Sequence, residues 1–166
     1  SVLAVVGAGP VGAAIAHQTA AAGLARRVVL VDTASDVARG LALDIRQAGP
    51  IAGASTAVEG TGDLGAVIGA ALVVVADRHG GAVDWRGDDG LALVTRVREL
   101  NPGALIVCGY CERVSPGRFR MVMEKPLDPA DFGTVAELNQ AVATRIEGHI
   151  REHLDQWCIF RPMWEP

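Results

Sequence analysis

Short apolar runs alternate with longer amphipathic stretches along the first two thirds of the chain. Each run is too short for a helix and is apolar on every side, as expected of parallel strands that are covered on both faces. The stretches between them suit helices. A proline stands in the first turn of the first predicted helix, where a helix tolerates it, and a glycine follows its end, where a glycine favours termination. The predicted helices are residues 10–22, Ser35–Gln47 and residues 88–100. The predicted strands are Val2–Val6, Arg27–Asp32, residues 54–58, Ala71–Ala76 and Ala104–Cys108.

Strands that alternate with helices imply a mostly parallel sheet that is wound by right-handed crossovers. We therefore expect an α/β fold, a Rossmann-like doubly wound domain, over residues 1–108. After Cys108 the pattern changes, because too few residues precede the next candidate strand, Arg118–Glu124, for a crossover helix. Ser115–Gly117 indicates a turn, so the sequence predicts a β-hairpin here.

A capping box, Thr134–Glu137, opens the last predicted helix. This helix carries apolar residues at helical spacing, which predicts that one face is buried. The apolar residues are Val135, Leu138, Val142, Ile146 and Ile150. We expect residues 109–166 to form a second part, a carboxy-terminal hairpin and helix with an aromatic tail, packed on the same sheet beside the fifth strand.

The composition adds several limits to this picture. The chain has 166 residues and a formal net charge of −4, which argues against nucleic acid as a partner. No stretch approaches the roughly 20 apolar residues of a membrane helix, so no transmembrane segment is predicted.

Three cysteines, an odd number, fit a reducing compartment, and we expect a cytoplasmic location. The oligomeric state is left open, with a homo-oligomer among the options.

A glycine-rich loop of the form G-x-G-x-x-G follows the first predicted strand and opens the first predicted helix. In this setting Gly7 makes a tight turn, Gly9 lets the backbone approach a pyrophosphate, and Gly12 lets the helix pack closely on the sheet. The helix N-terminus favours an anion. The predicted cofactor contacts in the loop are Gly7, Gly9, Pro10, Val11 and Gly12.

An acidic residue, Asp32, ends the second predicted strand, 20 residues after Gly12. A carboxylate at this place accepts hydrogen bonds from a ribose diol and repels a 2′-phosphate, so the predicted cofactor is NAD rather than NADP. Arg39 lies close to Asp32 in sequence and carries a positive charge that suits a 2′-phosphate, so NADP stays the alternative cofactor. The alternative interpretation of the glycine-rich loop is a turn that only lets the helix pack on the sheet and binds no cofactor.

Three segments resemble the amino-terminal half of the lactate/malate dehydrogenase family: VLAVVGAGPVGAAIAHQ, VVLVD and GLALDIRQAGP. The resemblance covers residues 1 to about 108 and implies an NAD-binding domain of an oxidoreductase that acts on a small 2-hydroxy or 2-oxo acid. Arg78 and Arg86 are spaced more widely than the arginine pair that the family carries on its substrate loop. Arg86 is a catalytic candidate as a substrate-binding arginine, and the alternative is a solvated cation on the loop. The family's catalytic His/Asp pair belongs to a second half that this chain does not contain. We expect the chain to be incomplete for catalysis.

The remainder, from about residue 109, resembles the carboxy-terminal end of bacterial lysophospholipid acyltransferases of the lauroyl and phosphatidylinositol-mannoside type. The segments that carry this resemblance are PGRFRMVMEKPL, Gln156–Trp157 and Phe160–Trp164. Those enzymes use an H-x4-D/E motif, and His79 with Asp84 is the match in this chain. An acyltransferase fragment is therefore the alternative function, and a scaffold without catalysis is the second alternative.

Two further patterns are interpreted without a functional site. Cys108 and Cys111 form a C-x-x-C motif, but no helix follows to lower a thiol pKa, so we expect two unpaired thiols. His149 and His153 share a helix face, but the acidic residue of the zinc-protease motif is missing, so we expect them on the surface. We predict no metal site.

Overall fold

A computed structural model describes residues 1–76, 87–102 and 105–156. The predicted catalytic candidates His79, Asp84 and Arg86, and the tail from Trp157 onward, lie outside these residues. The chain divides into two compact units, Ser1–Ala104 and Leu105–Pro166. The predicted domain boundary after residue 108 stays a prediction.

Four parallel strands form the sheet of the first unit: β1 (Val2–Val6), β2 (Arg27–Val31), β3 (Ala57–Thr61) and β4 (Leu72–Val75). They lie in the order β3-β2-β1-β4. The central strands β1 and β2 are almost completely buried, as their continuous apolar runs predict.

Helices cover both faces of this sheet. On one face, α1 (Pro10–Ala21) and α2 (Ser35–Ala52) bury small side chains such as Ala16 and Ala38 against Val28 and Leu30. On the other face, Val29 and Val31 pack with Val67 and with Leu93 and Leu100 of α3 (Gly87–Leu100). The predicted Rossmann-like doubly wound α/β fold is therefore confirmed.

Helix α2 continues five residues beyond its predicted end at Gln47. Pro50 lies in its last turn, where a proline removes only one hydrogen bond of the helix. Gly53 ends the helix in the left-handed conformation, φ 67°, and its N–H donates to the carbonyls of Gly49 and Pro50. The sequence analysis ended the helix at Gln47 and missed this cap.

The predicted fifth parallel strand, Ala104–Cys108, is wrong for its described residues 105–108. Ile106 belongs to the second unit and makes a single antiparallel bridge with Leu127 of the same unit. Its N–H donates to the Leu127 carbonyl at 2.9 Å, and its carbonyl accepts from the Leu127 N–H at 2.7 Å. This pairing uses the hydrogen-bonding groups that a parallel strand of the first unit would need.

The second unit contains the predicted hairpin, β5 (Gly109–Ser115) and β6 (Arg118–Met123), and a helix, α4 (Val135–Glu152). Gly117 closes the turn with φ 72°, a conformation that favours glycine. The capping box of α4 is present: Thr134 Oγ1 accepts from the Glu137 N–H at 3.2 Å, and the Glu137 carboxylate accepts from the Thr134 N–H at 3.2 Å. The predicted hairpin and helix start are confirmed.

The predicted apolar stripe of α4 is only partly buried. Leu138 is 2% exposed, whereas Val135 and Ile146 are 43% and 45% exposed. The predicted packing of this stripe on the sheet of the first unit stays a prediction. Helical spacing shows which residues share a face, but the neighbouring element decides whether that face is covered.

Polar side chains join α4 to the hairpin instead. His149 Nε2 lies 2.9 Å from Glu124 Oε1, and its ring centroid lies 4.0 Å from that of Tyr110. His153 Nε2 lies 3.5 Å from Oε2 of Glu112. The expected surface exposure of both histidines is therefore wrong: their side chains are only 18% and 29% exposed, because α4 presents them to the strands.

Candidate functional site

The glycine-rich loop joins β1 to α1 at the carboxyl edge of the parallel sheet. Gly7 has φ 101°, a backbone conformation that side chains strongly disfavour, and its N–H donates to the Val31 carbonyl at 2.8 Å. Gly9 is the N-cap of α1 with φ −77°, so its lack of a side chain is not needed for the turn itself. That its missing side chain lets a pyrophosphate approach the backbone stays a prediction.

The remaining loop residues have separate surroundings. Pro10 is exposed in the first position of α1, where its missing N–H costs nothing. Val11 is 55% exposed, and Gly12 is buried. The burial of Gly12 fits its predicted use in close packing of the helix.

Asp32 follows β2 directly and is only 6% exposed. Its carboxylate accepts two main-chain hydrogen bonds, from the Ala8 N–H at 2.8 Å and from the Ala34 N–H at 2.9 Å. Its own N–H donates to the Thr61 carbonyl at 3.0 Å, which extends the pairing of β2 with β3. The structure therefore brings Asp32 into contact with the glycine-rich loop.

This contact follows from the order of the strands. β1 and β2 are parallel neighbours in register from Val2 with Arg27 to Val6 with Val31, so the residues after both strands meet at one edge. A carboxylate has about four acceptor positions, and the two main-chain bonds leave others for hydroxyl groups. The edge thus combines a fixed negative charge, a helix N-terminus and a glycine without a side chain.

Arg39, the residue for which the sequence analysis kept NADP as an alternative cofactor, forms an ion pair within α2. Arg39 Nη1 lies 3.3 Å from Asp36 Oδ1, one turn earlier in α2. Both side chains are exposed, so this ion pair is weak. It nevertheless directs the guanidinium toward Asp36.

The sequence analysis missed the main-chain donors that hold Asp32. The Ala34 contact had a signal, because an aspartate often accepts from the N–H two residues later. The Ala8 contact had none of its own, since residues 8 and 32 meet only once β1 and β2 lie side by side.

The two described cysteines are free thiols, as predicted. Burial raises the pKa of the Cys108 thiol; the guanidinium of Arg145 lowers it and Glu124 raises it, but burial is the largest effect. Within the described ranges no group of three or more His, Cys, Asp or Glu side chains is arranged to hold a metal ion. None of the helices in the described part of the chain is long and apolar enough to span a membrane.

The family model for the NAD-binding domain of lactate/malate dehydrogenase matches residues 2–152. The chain belongs to this family. The predicted cofactor, NAD, and the predicted function as an NAD-binding domain of a lactate/malate dehydrogenase-like oxidoreductase are thereby confirmed. The family match extends into the part for which the sequence analysis expected a different origin.

Curated relatives include the malate dehydrogenases of Anaplasma marginale and Salinibacter ruber. The first is 32% identical over 129 residues, which cover 76% of this chain and 38% of the relative. The second is 34% identical over 127 residues, which cover 75% of this chain and 38% of the relative. The chain therefore spans about two fifths of the length of these relatives.

A similar solved structure is the lactate dehydrogenase of Cryptosporidium parvum in complex with lactic acid and nicotinamide adenine dinucleotide. It is 28% identical, with a TM-score of 0.48, and the match covers 59% of this chain and 32% of that chain.

Proposed function

We propose that NAD binds at the carboxyl edge of the first unit, with its pyrophosphate against the glycine-rich loop and its adenosine ribose on Asp32. The observation that carries this proposal is the fixed carboxylate of Asp32, held by the N–H groups of Ala8 and Ala34. Because both oxygens are held in place, the ribose hydroxyls meet acceptors that need no rearrangement. A 2′-phosphate would meet a fixed negative charge instead.

We propose that the whole protein oxidises a small 2-hydroxy acid or reduces a 2-oxo acid, and that this chain supplies cofactor binding without complete catalytic machinery. Malate and lactate dehydrogenases among its relatives support the substrate class. The predicted candidate Arg86 lies outside the described residues, so its role stays a proposal. The free thiols support a reducing, cytoplasmic location, and a homo-oligomer stays a hypothesis.

Calorimetric titration of the full chain with NADH and with NADPH tests the site. We expect NADH to bind more tightly by roughly tenfold, about 1.4 kcal/mol. Asp32→Asn keeps the shape and removes the charge, and it should narrow that gap. Gly9→Trp should block both cofactors while leaving the far-UV circular dichroism unchanged. Equal affinities in the unmutated chain would refute the role of Asp32.

Turnover is a separate test. We expect no NADH formation from malate or lactate by residues 1–166 above the level of the Gly9→Trp control, because the match covers only 38% of each of these malate dehydrogenases. Substrate-dependent NADH formation would show that another residue of this chain transfers the proton.

A second candidate function concerns the second unit, for which we propose an origin in a lysophospholipid acyltransferase. The support for it is the resemblance of PGRFRMVMEKPL and of Gln156–Trp157. Acyl transfer to a lysophospholipid that is lost in both His79→Ala and Asp84→Ala would support it; no transfer by the unmutated chain would leave a tail without this activity.

A further inference from the structure

The hairpin of the second unit has one covered face and one open face. Tyr110 and Glu112 face α4, where the Tyr110 ring lies 4.0 Å from that of His149 and Glu112 is only 5% exposed. Side chains of the opposite face alternate with these along each strand. On β6 that open face carries Phe119, Met121 and Met123, which are each more than 60% exposed.

The C-x-x-C motif is divided between these two faces. Cys108 and Cys111 are three residues apart in extended chain, so their side chains point to opposite sides. The Cys108 thiol interacts with Arg145 of α4, and the Cys108 carbonyl accepts from the Glu124 N–H at 2.9 Å. Cys111 is exposed on the open face. The two thiols therefore cannot hold one ligand together without breaking the hairpin.

Cys111 has thioether neighbours instead. Met121 lies directly opposite Cys111 in the antiparallel register. The main-chain groups of Arg113, two residues along β5, bond outward to Gln156 rather than to β6. Arg113 and Cys111 therefore both occupy the non-hydrogen-bonded kind of pair, in which opposite side chains approach most closely.

Met123 adds a second thioether at the next pair. Its partner is Gly109, and a Cβ on Gly109 would lie 2.8 Å from Met123 Sδ. The missing side chain of Gly109 thus leaves room for the Met123 sulfur to lie across β5, one pair away from Cys111. One thiol and two thioethers occupy consecutive cross-strand positions on one exposed face.

We propose that Cys111, Met121 and Met123 form a binding site for a soft monovalent metal ion, Cu(I). Thiolate and thioether sulfur are the ligands that select Cu(I) over hard cations. Binding forms three Cu–S bonds and releases the thiol proton of Cys111 to solvent, with no change in oxidation state. The thiolate neutralises the ion, so the complex suits an apolar face.

The other residues of this face fit the same chemistry. Arg113 lies two residues from Cys111, with its guanidinium carbon 5.6 Å from the centroid of the Phe119 ring. Arg113 and Phe119 form the cross-strand pair that follows Cys111 and Met121 on this face. Glu112 and Glu124, which would attract harder ions, are engaged with side chains of α4.

Anaerobic titration of the full chain with Cu(I), in competition with a chromophoric chelator, tests the site. We expect one competitively bound ion in the unmutated chain and none in Cys111→Ser. Met121→Leu and Met123→Leu conserve volume and should each weaken binding by roughly 10- to 100-fold, the range that even indirect partners of a metal contribute. X-ray absorption should show three sulfur neighbours, and two in either leucine variant.

Two matched variants serve as controls. Cys108→Ser removes the other thiol of the motif, and Met163→Leu removes the third methionine of the chain. Both should bind Cu(I) like the unmutated chain. Loss of binding in Cys108→Ser with normal binding in the Met121 and Met123 variants would overturn the proposal in favour of a C-x-x-C site. Absence of competitive binding in the unmutated chain would overturn it outright.

Discussion

The two units of this chain bury their side chains in different ways. In the first unit, strands β1 and β2 are covered on both sides, and side chains such as Val5, Val28 and Leu30 are fully buried. In the described part of the second unit, the buried residues are Leu138, Pro129 and a carboxylate, Glu112. A sheet covered on both faces excludes water, whereas a hairpin covered on one face relies on polar pairs.

This difference teaches where each unit derives its stability. Burying a large aliphatic side chain contributes about 1.5–3 kcal/mol, so the first unit gains from every central strand residue. The second unit depends on contacts of Glu112 with Arg120 and His153 and of Glu124 with Arg145 and His149. Partly exposed ion pairs contribute less and are screened by salt.

The largest expected effect tests the tight layers of the first unit. A Cβ on Gly60 of β3 would overlap the main-chain carbonyl of Ala38 in α2. Gly60→Ala should therefore lower the free energy of unfolding by about 3 kcal/mol or more. Gly40→Ala is the control, because a Cβ there meets no atom within 4 Å and should stabilise α2 by roughly 0.5–1 kcal/mol. Urea unfolding followed by circular dichroism would measure both, and similar stability of the two variants would contradict the close packing.

The second prediction concerns the apolar face of α4. Leu138→Ala should destabilise the second unit by about 2–3 kcal/mol, because the side chain is 2% exposed. Ile146→Ala removes a side chain of similar size that is 45% exposed. It should lower the free energy of unfolding by well under half as much as Leu138→Ala does. Hydrogen exchange of the α4 amides would resolve this unit from the first. Equal effects of the two changes would mean that the whole stripe is buried after all.

The third prediction concerns the start of α4. Thr134→Ala removes the hydroxyl that accepts from the Glu137 N–H and should cost about 1 kcal/mol. Thr144→Ala in the helix interior removes a hydroxyl that bonds only within the helix, to the Gln140 carbonyl and side chain, and should change stability little. The same hydrogen-exchange measurement applies, and a larger loss for Thr144→Ala would contradict the capping role.

The smallest effect is a difference in thiol reactivity. Alkylation by iodoacetamide, resolved by peptide mass spectrometry, should modify exposed Cys111 before Cys108. Because burial raises the pKa of Cys108, its thiol stays protonated to higher pH in the folded chain than in the unfolded chain. The contribution of Cys108 to the free energy of unfolding is fully present below the ordinary thiol pKa. It is lost as the pH rises through the raised pKa that Cys108 has in the folded chain. Faster modification of Cys108 in the native chain than in urea would contradict this.

Much of the first unit could be predicted from local pattern. The strands β1 and β2 and the glycine-rich loop follow from apolar runs and glycine positions alone, because a strand buried on both faces leaves a continuous apolar signal. The same apolar signal predicts where β2 ends, and therefore that Asp32 lies at its end. The capping box of α4 is equally local, since both partners lie within three residues.

The tertiary structure decided what lies next to these elements. Nothing in the sequence near Ala8 indicates that its N–H is bonded to Asp32, or near Ile106 that it pairs with Leu127 rather than with β4. Likewise, the spacing of α4 could not show that its histidines face Tyr110 while Ile146 faces solvent. Periodicity defines the faces of an element, but contacts between residues distant in sequence determine which face is covered, and these exist only in the folded chain.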